Sequence, residues 1–140
     1  MNITETNPKD IIGKRKAGLS CVPSRPLMEL GVAMLEGSLK YGSFNWRHAG
    51  VKSSIYYDAA IRHITAYIEG QDIDPDSGLS HITKAIACLV VLRDSQMIGN
   101  VVDDRPPSHK DNWQKDLNDK AAKLIEQYPE PKAAYVRNNE

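Results

Sequence analysis

Carboxylates recur in this sequence at intervals that match the turns of a helix. Glu29 and Glu36 stand seven residues apart with Lys40 one turn further on, and Asp58, Arg62, Thr65 and Glu69 are spaced i, i+4, i+7 and i+11. At about 100° per residue, each set falls on one stripe. Carboxylate oxygens so placed on neighbouring helices suit Mg2+ or Mn2+, hard cations that leave positions open for phosphate and water. Glu36, Asp58 and Glu69 are therefore the candidate metal ligands and catalytic carboxylates. Asp58 can equally form a helix-surface ion pair with Arg62, contributing ~0.3–0.5 kcal/mol. Glu29 reads as an ordinary solvated group.

A second acidic cluster, Asp72, Asp74 and Asp76, alternates ahead of Gly78 and begins like a calcium-binding EF-hand loop. The match fails because Ser77 stands where that loop needs glycine, and Thr83 where it needs a bidentate glutamate. Asp76 reads as an acidic residue favoured by a helix N-terminus. Asp72 and Asp74 remain candidates for the metal. His81 shares the polar side of a helix with Lys84 and Cys88 and reads as structural or solvated, and His63, about 140° from Asp58 on its helix, reads as structural.

Cations and aromatic groups supply the means to hold a nucleotide. Lys9 and Lys16 flank Gly13, and the run KYGSFNWR places Lys40, Asn45, Trp46 and Arg47 together. Lys9, Lys16, Lys40 and Arg62 are candidates for offsetting phosphate charge, and Asn45, Trp46 and Arg47 for holding base or phosphate. Lys14 and Arg15 read as solvated, and Trp46 has a core position as its alternative.

These groups need helices to position them. The first is expected from Ser24 as N-cap, with Pro26 in its opening turn, to about Tyr41 before Gly42. Its apolar arc of Leu27, Met28, Leu30, Val32, Met34, Leu35 and Leu39 is unusually wide, and Glu29, Glu36 and Lys40 fill the remaining strip. A second helix is expected from Ser53 or Ser54 to Glu69, a third from Leu79 to Ile98, and a weaker fourth from about Asp111 to Tyr128. Trp113, Leu117, Leu124 and Tyr128 would let the fourth pack across the others. Residues 1–23 read as an arm or ordered loop. The result is an all-α, compact antiparallel helical bundle, with residues 1–110 as the main helical domain and 111–140 as its C-terminal helix and loose tail. Apolar arcs this wide also imply self-association into a homodimer or homotetramer.

The 140 residues are the size of one domain, and 18 basic residues balance 18 acidic ones. No global field draws the chain to nucleic acid or an anionic membrane, so direct nucleic-acid binding is not expected. The longest apolar run, Ala85 to Leu92, falls far short of the ~20 residues needed to cross a bilayer. With only Cys21 and Cys88, no disulfide framework or zinc-ligand spacing exists, and a cytoplasmic location is expected.

The ordered blocks NPKD, KYG with NWR, YYDAAIRH, EGQDIDPDSGLSH, KAIACLVVL and DDRP, from Asn7 to Pro106, resemble the N-terminal domain of the dATP/dGTP diphosphohydrolases of phages. The resemblance implies a host-cytoplasmic enzyme that splits a deoxynucleoside triphosphate, dATP or dGTP, into monophosphate and pyrophosphate. That family is similar in type to the MazG-like all-α pyrophosphohydrolases, whose helical acidic residues bind Mg2+. Their paired motifs, E-x-x-E and later E-x-x-D, are not present here as such a pair, so assigning Glu36, Asp58 and Glu69 to that role is an inference from helix positions. The rival class is a non-catalytic protein that binds or sequesters a nucleotide on the same bundle.

Overall fold

The structure, a computed structural model, describes residues 7–139 and is mostly helical. The elements are α1 (Pro8–Gly13), α2 (Ser24–Tyr41), α3 (Asn45–Ala49), β1 (Val51–Lys52), α4 (Ser53–Ile68), α5 (His81–Ile98), β2 (Val101–Val102), α6 (Trp113–Gln127) and a closing 3-10 turn, Arg137–Asn139. The all-α expectation holds.

Glycines and hydroxyls set the ends of the long helices. The Ser80 hydroxyl accepts from the N–H groups of Ile82 and Thr83 at the start of α5, and Gly99 ends it in the left-handed conformation at φ 80°. Capping of α4 comes from far along the chain. Asp104 accepts from the Ser54 backbone N–H at 2.8 Å and from the Ser54 hydroxyl. For α2 the N-cap is Pro23, with Ser24 already helical and no side-chain cap, which corrects the expected Ser24 cap.

The helix α5 lies at the centre. It packs against α4 as an antiparallel hairpin, with α2 against it on another side. Small residues make the close approach possible: Ala33, Ala60 and Ala85 are buried, with Val51 and Val91, and Ser95 is completely enclosed. The open end of the hairpin is closed by parallel pairing of Val51 with Val101 and Lys52 with Val102. Glycine is required at position 50, where φ is 77° and a Cβ would stand 2.8 Å from the carbonyl oxygen of Asn100.

Three further expectations are corrected. The supposed loop after α2 contains the one-turn helix α3, and the N-terminal arm contains α1, started by the Asn7 side chain accepting from the Lys9 N–H. Single turns leave too few residues to show a period. The third correction concerns α6, which was expected to pack across the bundle yet has every residue exposed. Its stripe of Trp113, Leu117, Leu124 and Tyr128 faces outward. The same is true of Met28, Val32, Leu35 and Leu39 on α2, and of Tyr57, Ile61, Ile64 and Ile68 on α4. Both repeat at i, i+4, i+7 and i+11, a full apolar face with nothing on it. No helix of the described residues is long and apolar enough to cross a membrane.

Candidate functional site

A band of polar side chains runs across α2, α4, α5 and the loop joining α4 to α5. At one end Glu36 sits between two ammonium groups. Lys40, one turn along α2, approaches Oε1 at 2.6 Å, and Lys84 reaches from α5 to Oε2 at 2.5 Å. Lys40 also lies 3.4 Å from Asp76. The Lys40 and Lys84 contacts hold the Glu36 carboxyl below its usual range, in that order of effect. Lys40 is pushed up to about 12, by Glu36 first and then Asp76. Two turns of α2 toward its start, Glu29 accepts from the Thr83 hydroxyl at 2.6 Å. Glu29 is therefore half-buried and engaged, not the solvated group expected.

At the other end of the band the imidazoles of His63 on α4 and His81 on α5 meet through their Nδ1 atoms at 2.9 Å. The second nitrogen of His81, Nε2, lies 2.7 Å from Gln71 Oε1. His81 is buried at the first position of α5, and its backbone N–H donates to the Asp72 carbonyl at 3.0 Å. Burial lowers the affinity of His63 for a proton, and the nearby charge of Asp74 opposes this only in part. The loop that delivers Gln71 is pinned by the Ile73–Ser80 bridge and by the Asp74 N–H donating to the Leu79 carbonyl at 2.8 Å. The Asp74 carboxyl is turned inward on its own loop, accepting from the Ser77 hydroxyl at 2.8 Å and the Asp76 N–H at 3.2 Å. Burial works against its charge, yet these bonds leave it below the usual carboxylate range.

The expected carboxylate cluster does not form. Among the described residues no three His, Cys, Asp or Glu side chains gather closely enough to hold a metal ion. Both oxygens of Glu36 are taken by lysines, Asp58 is exposed on α4, and Glu69 is exposed at the end of that helix. Asp74 is spent on its loop, and Asp72 lines a separate cleft with Tyr67, Gly70 and Arg137. The five residues Glu36, Asp58, Glu69, Asp72 and Asp74 thus share a region of sequence but not one point in space. A resident Mg2+ or Mn2+ does not fit them as a set.

The expected nucleotide-binding groups also divide. Lys40 lies in the band, and Arg62 is exposed on α4 with its charge reaching His63 and Cys88. Lys9 and Lys16 lie on the exposed arm. Asn45, Trp46 and Arg47 form α3, where Asp94 of α5 accepts from Trp46 Nε1 at 2.7 Å and from Arg47 Nε and NH2 at 2.9 and 3.0 Å. These donors serve to dock α3. Phe44, held in a left-handed conformation at φ 58°, stacks against Trp46 and under the Arg47 guanidinium. Beside them opens an apolar cleft of about 460 Å³, lined by Met34, Leu35, Phe44, Trp46 and Val90 among others.

The sequence reading missed the pairing of His63 with His81. A signal was present: the blocks YYDAAIRH and EGQDIDPDSGLSH both end in histidine, one near the end of a helix and one at the start of the next.

Comparison with known proteins bears on the same stretch of chain. A family described as "dATP/dGTP diphosphohydrolase, N-terminal" matches residues 6–105. A protein of Salmonella phage PMBT28 named dATP/dGTP diphosphohydrolase is 31% identical over 98 residues, which are 70% of this chain and 31% of that protein. The chain therefore spans less than a third of the length of that relative. No solved structure matches.

Proposed function

Since the chain belongs to the dATP/dGTP diphosphohydrolase N-terminal family, we propose that it hydrolyses a purine deoxynucleoside triphosphate, dATP or dGTP, to the monophosphate and pyrophosphate. The observation that carries this reading is the meeting of Lys40 and Lys84 on one carboxylate, in a band that also holds Arg62 and His63. Two ammonium groups already arranged around a single anion are a preformed cradle for phosphate oxygens. Glu36 sets their spacing. When a triphosphate enters, Lys40 and Lys84 with Arg62 offset the charge that grows on the departing pyrophosphate.

Magnesium then enters as part of the substrate, as the Mg2+–nucleotide complex. This ion keeps several waters and is commonly held by phosphates with one or two carboxylates, not by a dedicated protein cage. Exposed Asp58 is available to such a complex without being gathered beforehand with other ligands.

The active form is proposed to be a homo-oligomer, a dimer before a tetramer. The chain exposes 12272 Å², whereas a compact monomer of its mass would expose about 7,200 Å². Obligate dimers commonly bury about 2,000 Å² or more of largely apolar surface, the character of the bare stripes on α2 and α4.

A second reading is favoured by the scattered carboxylates, no three of which gather closely enough among the described residues to hold a metal ion. On that reading the chain binds the nucleotide without turning it over. Incubation of the protein with each dNTP and Mg2+, followed by identification of products, separates the two. Pyrophosphate and a monophosphate from dATP or dGTP support hydrolysis, and saturable binding without product supports the rival.

A further inference from the structure

We propose that His63 is the catalytic base of this hydrolysis, held in its working tautomer by His81 and Gln71; the proposal rests on the pyrophosphohydrolase reading. The hydrogen bonds determine where the protons sit. Gln71 Oε1 can only accept, so His81 Nε2, 2.7 Å away, carries a proton and donates it. With the ring proton placed on Nε2, His81 Nδ1 is left as the acceptor. The 2.9 Å contact between the two Nδ1 atoms therefore requires His63 to donate from Nδ1. Its remaining nitrogen, Nε2, is left with a free lone pair. A chain of two hydrogen bonds, starting from an amide in the loop, thus fixes which nitrogen of His63 can take a proton.

The surroundings suit a base that must work beside phosphate. His81 is buried and acts only through His63, so it is a positioning residue, as is Gln71. His63 is half-buried, and the charged or titratable groups that bear on it are Asp74 from the loop, His81 and Lys84 from α5, and Arg62 from its own helix. Burial keeps the imidazole neutral and ready to accept. Arg62 and Lys84 bring the phosphate to the same place. In the step proposed, a water oxygen forms a bond to the α-phosphorus while a water proton passes to His63 Nε2. The bond from that phosphorus to the bridging oxygen breaks, and its electron pair leaves with pyrophosphate. The proton on His63 is later lost to solvent.

The experiment has two arms on the intact protein. Nitrogen NMR of the imidazoles in the wild type is expected to show His81 protonated at Nε2 and His63 at Nδ1. In the kinetic arm, His63→Gln should lower kcat for the active dNTP by about 100-fold or more, the scale of general-base catalysis, with a KM change of only a few-fold. Free imidazole should restore turnover to His63→Ala in proportion to its concentration, which loss of a structural contact would not allow. Should either variant fail to fold, Gln71→Ala at an exposed position carries the test: the tautomers should become mixed and kcat fall. Wild-type turnover with His63→Gln or Gln71→Ala near the wild-type rate overturns this role alone. His63 found protonated at Nε2 does the same. Absence of turnover by the wild type on every dNTP overturns the hydrolase reading and this step with it.

Discussion

Lys84 on α5 donates to Glu36 on α2 at 2.5 Å across the polar band, and both side chains are about four-fifths covered. The same carboxylate holds Lys40, so one acidic group sets the position of two cations.

Glu36→Gln is expected to abolish turnover while leaving the fold in place. The amide keeps the volume but releases both lysines, and losing hydrogen bonds to charged groups should cost ~1–3 kcal/mol of stability. The pH dependence follows from the lowered carboxyl: the pair's stabilisation is present above the ordinary glutamate range and is lost as pH falls through and below it. Melting curves of wild type and Glu36→Gln should converge in acid. Curves separated by the same interval from pH 7 to pH 3 would remove the ion pair from the explanation.

Mg2+ alone should leave the melting temperature almost unmoved, because no preformed cluster awaits it among the described residues. Mg2+ with a non-hydrolysable purine dNTP should raise it, with ~2.7 kcal/mol available at a ligand concentration of a hundred times Kd. A thermal-shift series on wild type and Asp58→Asn checks this. A large shift with Mg2+ and no nucleotide would mean that the carboxylates gather after all.

Asp94→Asn should lower the denaturation midpoint, since charge-assisted bonds from Arg47 and Trp46 weaken together. KM for the dNTP should stay within about twofold of the wild type. Denaturant melts and steady-state kinetics measure both. A tenfold rise in KM with unchanged stability would return Trp46 and Arg47 to the substrate.

Light scattering on the eluting protein should give a mass of at least two chains. Leu35→Glu with Leu39→Glu, two exposed positions on the bare face of α2, should shift it toward one chain or abolish soluble protein. A monodisperse, stable single chain in the wild type would reject self-association.

The long helices were legible because apolar runs and the glycines after them are local signals: α2 ends before Gly42 and α4 begins at Ser53 as expected, while α5 starts at His81, two residues past the expected Leu79. The two-residue strands β1 and β2 were not, since Val51 and Val101 have no period and pair only once α4 and α5 have brought them together. The candidate site divides in the same way. Glu36 and Lys40 lie one turn apart, so their ion pair is visible on a helical wheel. Lys84 joining them depends on how α5 is rotated against α2, which the nearly all-round apolar character of α5 conceals. His63 and His81 were each placed on a helix, but their meeting is set by the loop between those helices. The carboxylate stripes misled because a wheel shows that residues share a face without showing that two faces look at one another.

The pairing of Val51 with Val101 makes α4, its loop and α5 a closed circuit of about fifty residues. Loop-closure entropy favours shutting such a circuit from its short end, where Ile73 and Ser80 already meet, then zipping the helices together and latching the strands last. Asp104 locks that latch by capping α4. The imidazole pair sits beside the turn where zipping starts, so it is expected to assemble early, ahead of the strand latch. Pulse-labelled amide exchange that protected Val101 before the turn at Ile73 would reverse this order. The part of the chain proposed to handle protons is thus also the part that organises the folding of the rest.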